Sequence, residues 1–287
     1  MKRILAAGLI LLSALASAQK PQKVIYPAEG AEKQGRFTDL VEILELALEK
    51  TLDEFGPYEL APASSSMAEP RQSRELQNNS GRLNVMWWST AEPIEEALRP
   101  IRIPLRQGLL SFRIALIHKD DQARLNDVHS IEDLRELKVG QGLGWGDVAV
   151  FEHHGIPVVE SGYDNLFAML DAGGRFDLFP RGVTEIFGEY ERFSEEFKNL
   201  AVEENLLIFY PWPHYLFVSP DNEALAKRLE TGLELMVEDG SLTTILQSHY
   251  GEAIERAALH ERRVIDLHNP RLPEATPLED ERLWFHP

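Results

Sequence analysis

An α/β fold in two lobes is the architecture the sequence predicts, and three observations point to it. From Lys23 onward, short apolar runs alternate with stretches of helical period, the pattern of strands joined by helices, with mainly parallel strands. The chain has 287 residues, and the 269 that follow an 18-residue leader suffice for two modest domains. It contains no cysteine, so its stability in an oxidising compartment must come from buried cores.

Residues 1–18 have the layout of a secretory leader. Lys2 and Arg3 are its positive end, Ile4 to Leu12 its apolar centre, and Ala16-Ser17-Ala18 its cleavage site. Export to the periplasm with cleavage after Ala18 is expected. The apolar stretch is shorter than the roughly 20 residues a spanning helix needs, and no later run reaches that length, so membrane insertion is not expected. The missing cysteines also remove a lipoprotein anchor, zinc-thiolate sites, iron–sulfur clusters and cysteine nucleophiles. The net charge of −18 becomes −20 once Lys2 and Arg3 leave with the leader. Such a surface repels nucleic acid and anionic lipid, and its acidity reads mainly as solubility.

In the first unit, Val24-Ile25-Tyr26 reads as a strand. Phe37, Leu40, Val41, Leu44, Leu48 and Leu52 form one helical stripe stopped by Gly56-Pro57. Tyr58 to Leu60 is a strand, a polar helix runs through Gln72 and Leu76, and Asn79-Ser80-Gly81 is a turn. Leu83 to Met86 is the third strand, with Trp87-Trp88-Ser89-Thr90 leaving its carboxyl end, where ligands bind in open α/β sheets.

A second unit starts near Ser111 with the strongly apolar strand Phe112–Ile117. Ser130 caps a short helix, with Asp133 three residues on. A strand from Lys138 runs into Gly140, Gly142, Gly144 and Gly146, and a helix follows. Ile156–Val159 and Phe176–Phe179 are strands around the helix Tyr163–Ala172. Val183–Phe197 is helical, and Leu206–Tyr210 is a strand. After Pro211 come the strand His214–Val218, a helix with Leu225, Leu229, Leu233 and Met236 on one face and Gly240 at its end, and a short helix through Tyr250. The proline-rich tail from Val264 has no period. It is expected to be a strap over one lobe, anchored by Leu283, Trp284 and Phe285.

The stretches Ser130–Gly140, Gly174–Leu178 and Asn222–Gly251, in this order and spacing, resemble the bacterial periplasmic solute-binding proteins of family 3, the polar-amino-acid type. That resemblance implies a type II periplasmic binding protein of two α/β lobes joined by hinge crossings, with the ligand in the cleft between them. Residues 19–112 and 212–263 would form a discontinuous first lobe, 113–211 the second, and 264–287 the strap. A small solute, delivered to an ABC-type permease or to a sensor, is the implied partner; a monomer without cofactor, metal or enzymatic activity is expected.

Three stretches depart from the family pattern. Thr90-Ala91-Glu92 is followed by Pro93 where the family's carboxylate-clamping arginine stands. Ile101–Leu105 keeps only the proline of an aromatic-Ser-x-Pro-Tyr run. Pro180-Arg181-Gly182 occupies the neighbourhood of the aspartate that pairs with a ligand's ammonium. A guanidinium attracts carboxylate or phosphate, so an anionic or zwitterionic solute is expected.

The candidate ligand residues are Tyr26, Trp87, Trp88, Ser89, Thr90, Gly144, Trp145, Asp147 and Arg181. Glycines let backbone approach a ligand closely, and the helix start after Gly146 aims free N–H groups at it; a structural turn is the plainer alternative. Trp87 or Trp88 on one wall and Trp145 on the other could sandwich a solute, although one of the adjacent pair must point into packing. Arg181 is either a ligand contact or a surface arginine paired with Glu185. Glu92 or Asp147 could serve a dehydratase-like enzyme on the same scaffold as general acid. An accessory protein without ligand is the third reading. His153-His154 face different ways on a helix, and no metal-ligand motif is present.

Overall fold

The computed structural model describes residues 20–29 and 35–287; the leader expected at residues 1–18 lies outside them. The first lobe opens with β1 (Gln22–Ala28), α1 (Thr38–Glu49), α2 (Leu52–Phe55), β2 (Tyr58–Ser66), α3 (Glu69–Gln77), β3 (Val85–Ser89), α4 (Glu92–Ala97) and β4 (Arg99–Ile101). The chain then crosses to a second lobe. This holds β5 (Phe112–His118), α5 (Gln122–Leu125), α6 (Ile131–Arg135), β6 (Val139–Gly142), α7 (Asp147–His153), β7 (Val158–Ser161), α8 (Tyr163–Ala172), β8 (Phe179–Gly182), α9 (Val183–Phe193), β9 (Leu200–Val202) and β10 (Leu206–Phe209). It returns through β11 (His214–Val218), α10 (Glu223–Glu238) and α11 (Ser241–Ala257), then adds β12 (Arg263–Asp266).

In the first lobe β1 pairs in parallel with β2, and β11 lies between β3 and β4, antiparallel to both. Asn84 stitches the two pieces together. Its N–H donates to the Ile25 carbonyl at 3.0 Å, its side-chain oxygen accepts from the Ile25 N–H at 2.8 Å, and its amide donates to the Lys23 carbonyl at 2.7 Å. In the second lobe the order is β12-β10-β5-β8, with β9 also on β5. The parallel pair β6–β7 joins β8 where the Gly140 N–H donates to the Leu178 carbonyl at 2.7 Å. The sheets are therefore mixed, where alternation alone predicts mainly parallel strands. The cause is the double crossing: β5 enters the second lobe against the direction of β8 and β10, and β11 re-enters the first against β3 and β4, so these pairs are antiparallel while β10 and β12 stay parallel.

Each sheet is apolar on both faces. In the first lobe, Val24, Leu44, Val85 and Leu229 pack on one side, and Leu76, Met86, Tyr215 and Phe217 on the other. In the second, Ile114, Phe167, Phe179 and Leu207 oppose Val139, Phe151, Ile208 and Tyr210. The α1 stripe is buried through Leu48, but the helix stops at Glu49, short of the predicted Leu52. The Thr51 hydroxyl donates to the carbonyls of Ala47 and Leu48, and Leu52 begins a separate turn, 45% exposed. α10 crosses α1 so closely at Gly232 that a β-carbon there would overlap the Ala47 carbonyl.

Two further expectations are corrected. Trp87, Trp88 and Ser89 lie inside β3, not beyond its end, because β11 supplies partners as far as Ser89–His214. The tail does not lie over one lobe. β12 joins the second lobe's sheet, whereas Leu283 sits in the first lobe's core, and Phe285 packs edge-on against Phe112 of the second at 5.8 Å. No helix among the described residues is long and apolar enough to cross a membrane.

Candidate functional site

The chemistry between the lobes collects at the carboxyl edge of the second lobe's sheet. Arg113 on β5 and Arg181 on β8 belong to adjacent antiparallel strands, with Ile114 opposite Arg181 and Arg113 opposite Gly182. Side chains alternate along a strand, so the two guanidiniums leave opposite faces of the sheet. Arg181 reaches into an aromatic slot, its guanidinium 4.7 Å from the Trp145 ring centre, 5.2 Å from Phe179 and 5.9 Å from Tyr163. There it forms a two-pronged pair with Glu189, at 2.5 and 2.7 Å, while the Tyr163 hydroxyl donates to the same carboxylate at 2.9 Å. On the opposite face Arg113 pairs with Asp147 at 3.0 Å and lies over Tyr210 and Trp212; the Tyr210 hydroxyl donates to Asp147 at 2.6 Å. Burial is the largest influence on both tyrosines and pushes their hydroxyls up, keeping them protonated donors.

Glu185 stands where these two networks meet. It is the third residue of α9, and its carboxylate accepts from the Gly182 N–H at 3.2 Å, closing the helix start in the manner of a capping box. Arg181 approaches it at 3.2 Å and Arg113 at 3.9 Å. From the first lobe, Arg36 donates to it at 2.7 Å. Burial alone would raise this carboxyl; Arg181, Arg36 and Arg113 together outweigh that and hold it down at about 2.

On the first-lobe side, Arg106 forms a buried two-pronged pair with Asp39 at 2.6 and 2.8 Å, with the Tyr250 ring 5.5 Å from its guanidinium. His214 lies nearby on β11. Burial first, and then the Arg106 guanidinium, lower its imidazole to about 3, so it is neutral at ordinary pH. Among the described residues its Nδ1 has no partner; nor do Arg113 Nε, Thr184 Oγ1 or either amide atom of the buried Gln141.

The predicted site residues divide. Trp145, Asp147 and Arg181 meet in this network, and Arg181 is 4% exposed and paired with both Glu185 and Glu189. Tyr26 and Trp87 form an aromatic group with Phe37 in the first lobe, at 6.0 and 5.8 Å. Trp88 packs on the opposite face of that lobe's sheet, as strand alternation requires. Ser89 pairs with His214 across the β3–β11 ladder, and the Thr90 hydroxyl donates to Glu95. The glycine loop makes room mostly for its own protein. A β-carbon at Gly140 would strike Phe176, one at Gly142 would strike the Trp145 indole, and one at Gly146 would strike Arg271. Gly144 alone of these has φ near +73° and open space around it, and its N–H donates to Glu160 at 2.9 Å. Of the two carboxyls considered as general acids, Glu92 is exposed at the start of α4 and Asp147 is held by Arg113 and Tyr210.

Sequence reading missed Arg113, Arg36 and Glu189. An arginine interrupting the apolar run Phe112–Ile117 was the available signal for the first, and acids at Glu185 and Glu189, one helical turn apart, for the last. Nothing local marks Arg36, which lies 149 residues from its partner. Two cavities stand out among the described residues, and neither is lined by Trp87, Trp145 or Arg181. One, of about 400 Å³, lies under the tail between Pro211, Asp266, His268 and Thr276. The other, of about 460 Å³, is an open groove between Tyr190 and Arg256. His153, His154 and His268 cluster at ring spacings of 5.1 and 5.5 Å, but no group able to hold a metal ion is found among the described residues.

No protein-family model and no curated sequence matches the chain. Solved structures do. An ancestral arginine-binding protein bound to arginine matches with a TM-score of 0.54 at 19% identity, covering 82% of this chain and all of that one. A Salmonella typhimurium periplasmic binding protein of high arginine specificity matches at 0.53 and 13% identity, covering 81% and 100%. A histidine kinase sensor domain similar to periplasmic binding proteins matches at 0.51 and 16%, covering 82% and 97%. At these identities the likeness establishes architecture, and the chain has the two-lobed α/β fold of the periplasmic binding proteins.

Proposed function

We propose that this protein is an exported solute-binding protein that takes a small carboxylate-bearing or zwitterionic solute between its lobes, for ABC-type uptake or for sensing. The observation that carries this is the convergence of guanidiniums from both lobes, Arg36 on one side and Arg113 with Arg181 on the other, upon one carboxylate. Planar donor forks suit carboxylates. The unpartnered Arg113 Nε, Thr184 Oγ1 and His214 Nδ1 add donors and acceptors in the same region. The proteins of the same fold, two of them named for arginine and one a kinase sensor domain, are in line with an amino-acid-like solute and with sensing as one destination.

The test is a melting screen of amino acids and small mono- and dicarboxylates. A bound solute at a hundredfold excess over Kd stabilises the native state by about 2.7 kcal/mol. A hit should be recovered chemically unchanged, and Arg36→Ala should weaken it. A panel without a single stabilising compound would defeat the reading. It would favour the second one, an accessory protein working without ligand. The observation behind that alternative is charge balance: Arg36, Arg113 and Arg181 are already met by Asp147, Glu185 and Glu189.

A further inference from the structure

We infer that Glu185 is a ligand surrogate supplied by the protein itself: its carboxylate occupies a carboxylate-binding site spanning the lobes, for which a solute's carboxylate must compete. The inference deepens the proposed function by naming the occupied subsite, and rests on that reading only for the identity of the solute.

Four groups build the site. Arg36 donates at 2.7 Å from the first lobe, Arg181 approaches at 3.2 Å, Arg113 at 3.9 Å, and the Gly182 N–H donates at 3.2 Å from the start of α9. The two second-lobe arginines are each 4% exposed and already anchored elsewhere, Arg181 by Glu189 and Arg113 by Asp147. Their orientation therefore does not depend on Glu185. Removing that carboxylate would leave the arginines in place with donors still directed at the same point, and a buried guanidinium without its anion is costly. Arg36, whose side chain is half exposed, is the movable arm. It links the first lobe to the second through Glu185, so the same ion pair that fills the site also holds the lobes together.

A competing solute must offer a carboxylate and leave Glu185 somewhere to go. Glu185 lies in the first turn of α9 with 17% of its side chain exposed, so its displacement would be a rotamer change that carries the carboxylate toward that exposed side. The site is therefore selective for solutes whose remaining groups repay that displacement. A solute that is only an anion gains little over the resident carboxylate, whereas one with a second polar or cationic group can also engage the freed Glu185.

The experiment is chemical rescue. Glu185→Ala removes the atoms of an acetate ion. The variant should melt lower than the wild type and recover by several degrees with millimolar acetate, measured against chloride of equal ionic strength, while the wild type should not respond. Equal acetate responses in the two proteins, or rescue by sulfate and not acetate, would overturn the inference. Should Glu185→Ala not fold, Arg36→Gln carries the test. Losing the exposed arm should shift the acid limb of unfolding to higher pH, and an unmoved limb would refute the assignment. A negative solute screen together with a positive acetate rescue would retire the proposed function and leave the surrogate site standing; the reverse pattern would do the opposite.

Discussion

The hydroxyl of Ser111 accepts a hydrogen bond from the backbone N–H of Trp212 at 2.9 Å, and the Ser111 carbonyl accepts from the Tyr210 N–H at 3.2 Å. One fully buried serine thus clips the outgoing crossing to the returning one. Ser111→Ala leaves the Trp212 N–H without this partner and should cost about 1–2 kcal/mol. Urea unfolding measures that. If the clip guides lobe movement, the variant should also broaden the distribution of lobe separations seen by small-angle scattering.

His214 makes a separate prediction about pH. Burial and Arg106 hold its imidazole at about 3 in the fold, against about 6.5 in an unfolded chain. Below pH 6.5 the unfolded state takes up a proton that the native state refuses. Stability is therefore full above that value and falls as pH drops, by at most about 1.4 kcal/mol per unit. The charged groups facing this ring are Arg106, Glu185, Arg113 and Arg36. Glu185 enters lower: held at about 2 against roughly 4.3 unfolded, it contributes stability present above pH 4.3 and lost on the way to 2. His214→Gln should flatten the stability curve from pH 6.5 downward, an effect complete only near pH 3, and leave in place the Glu185 contribution lost between about 4.3 and 2. An unchanged upper limb would assign the effect to other groups.

Legibility in the sequence followed period and length. Helix α8 and strand β11 carry the bounds their patterns predict, and the α10 stripe Leu225, Leu229, Leu233 and Met236 is buried throughout. Strands β4, β9 and β12 were missed because β4 and β9 have only three residues, β12 (Arg263–Asp266) has charged residues at both ends of its apolar pair, and the pairing of all three is set by partners far along the chain. At the site, Trp145, Asp147 and Arg181 could be found from loop position and residue type. The pairing of Arg181 with Glu185 is one of two alternatives the sequence leaves open; what could not be read was that the pair is buried, or that Glu189, one turn further on, supplies the two-pronged partner. The glycines of the Gly140–Gly146 loop signalled close approach correctly, but Phe176, Trp145 and Arg271 do the approaching.

Arg228 is buried on α10 without a carboxylate partner among the described residues. Its guanidinium instead donates to the carbonyls of Leu48 and Gly56 at 3.2 and 2.9 Å, to Thr51 Oγ1 at 3.0 Å and to Gln22 Oε1 at 3.1 Å. It satisfies the carbonyl ends of α1 and α2, where a cation also meets the negative end of the helix dipole. Arg228→Met keeps most of the volume but strips these carbonyls of a donor. A loss of about 2–3 kcal/mol is expected in urea unfolding. Arg228→Lys should recover only part of it, since one ammonium cannot span four acceptors.

The tail links the lobes in addition to the two crossings, the Arg36–Glu185 pair and α11, and its removal should show it. Beyond β12, the Leu267 N–H donates to the Phe209 carbonyl at 2.7 Å and the Asn269 amide to the Pro211 carbonyl at 2.9 Å, both on the second lobe's side of the return crossing. At the far end Leu283 is buried in the first lobe's core. The Trp284 ring covers Gly108, and the Phe285 N–H donates to the Gln107 carbonyl at 2.7 Å. A strap fixed at both ends restrains opening more than either fixed end would alone. Leu283→Ala should cost about 2–3 kcal/mol, the lower part of the range for a buried leucine. Truncation after Asp266 should lower the melting temperature further and enlarge the radius of gyration in small-angle scattering, because the restraint and the anchor are lost together. If truncation lowers stability but leaves the radius unchanged, the two crossings, α11 and the Arg36–Glu185 pair suffice to hold the lobes, and the tail serves only as a cover over the cores.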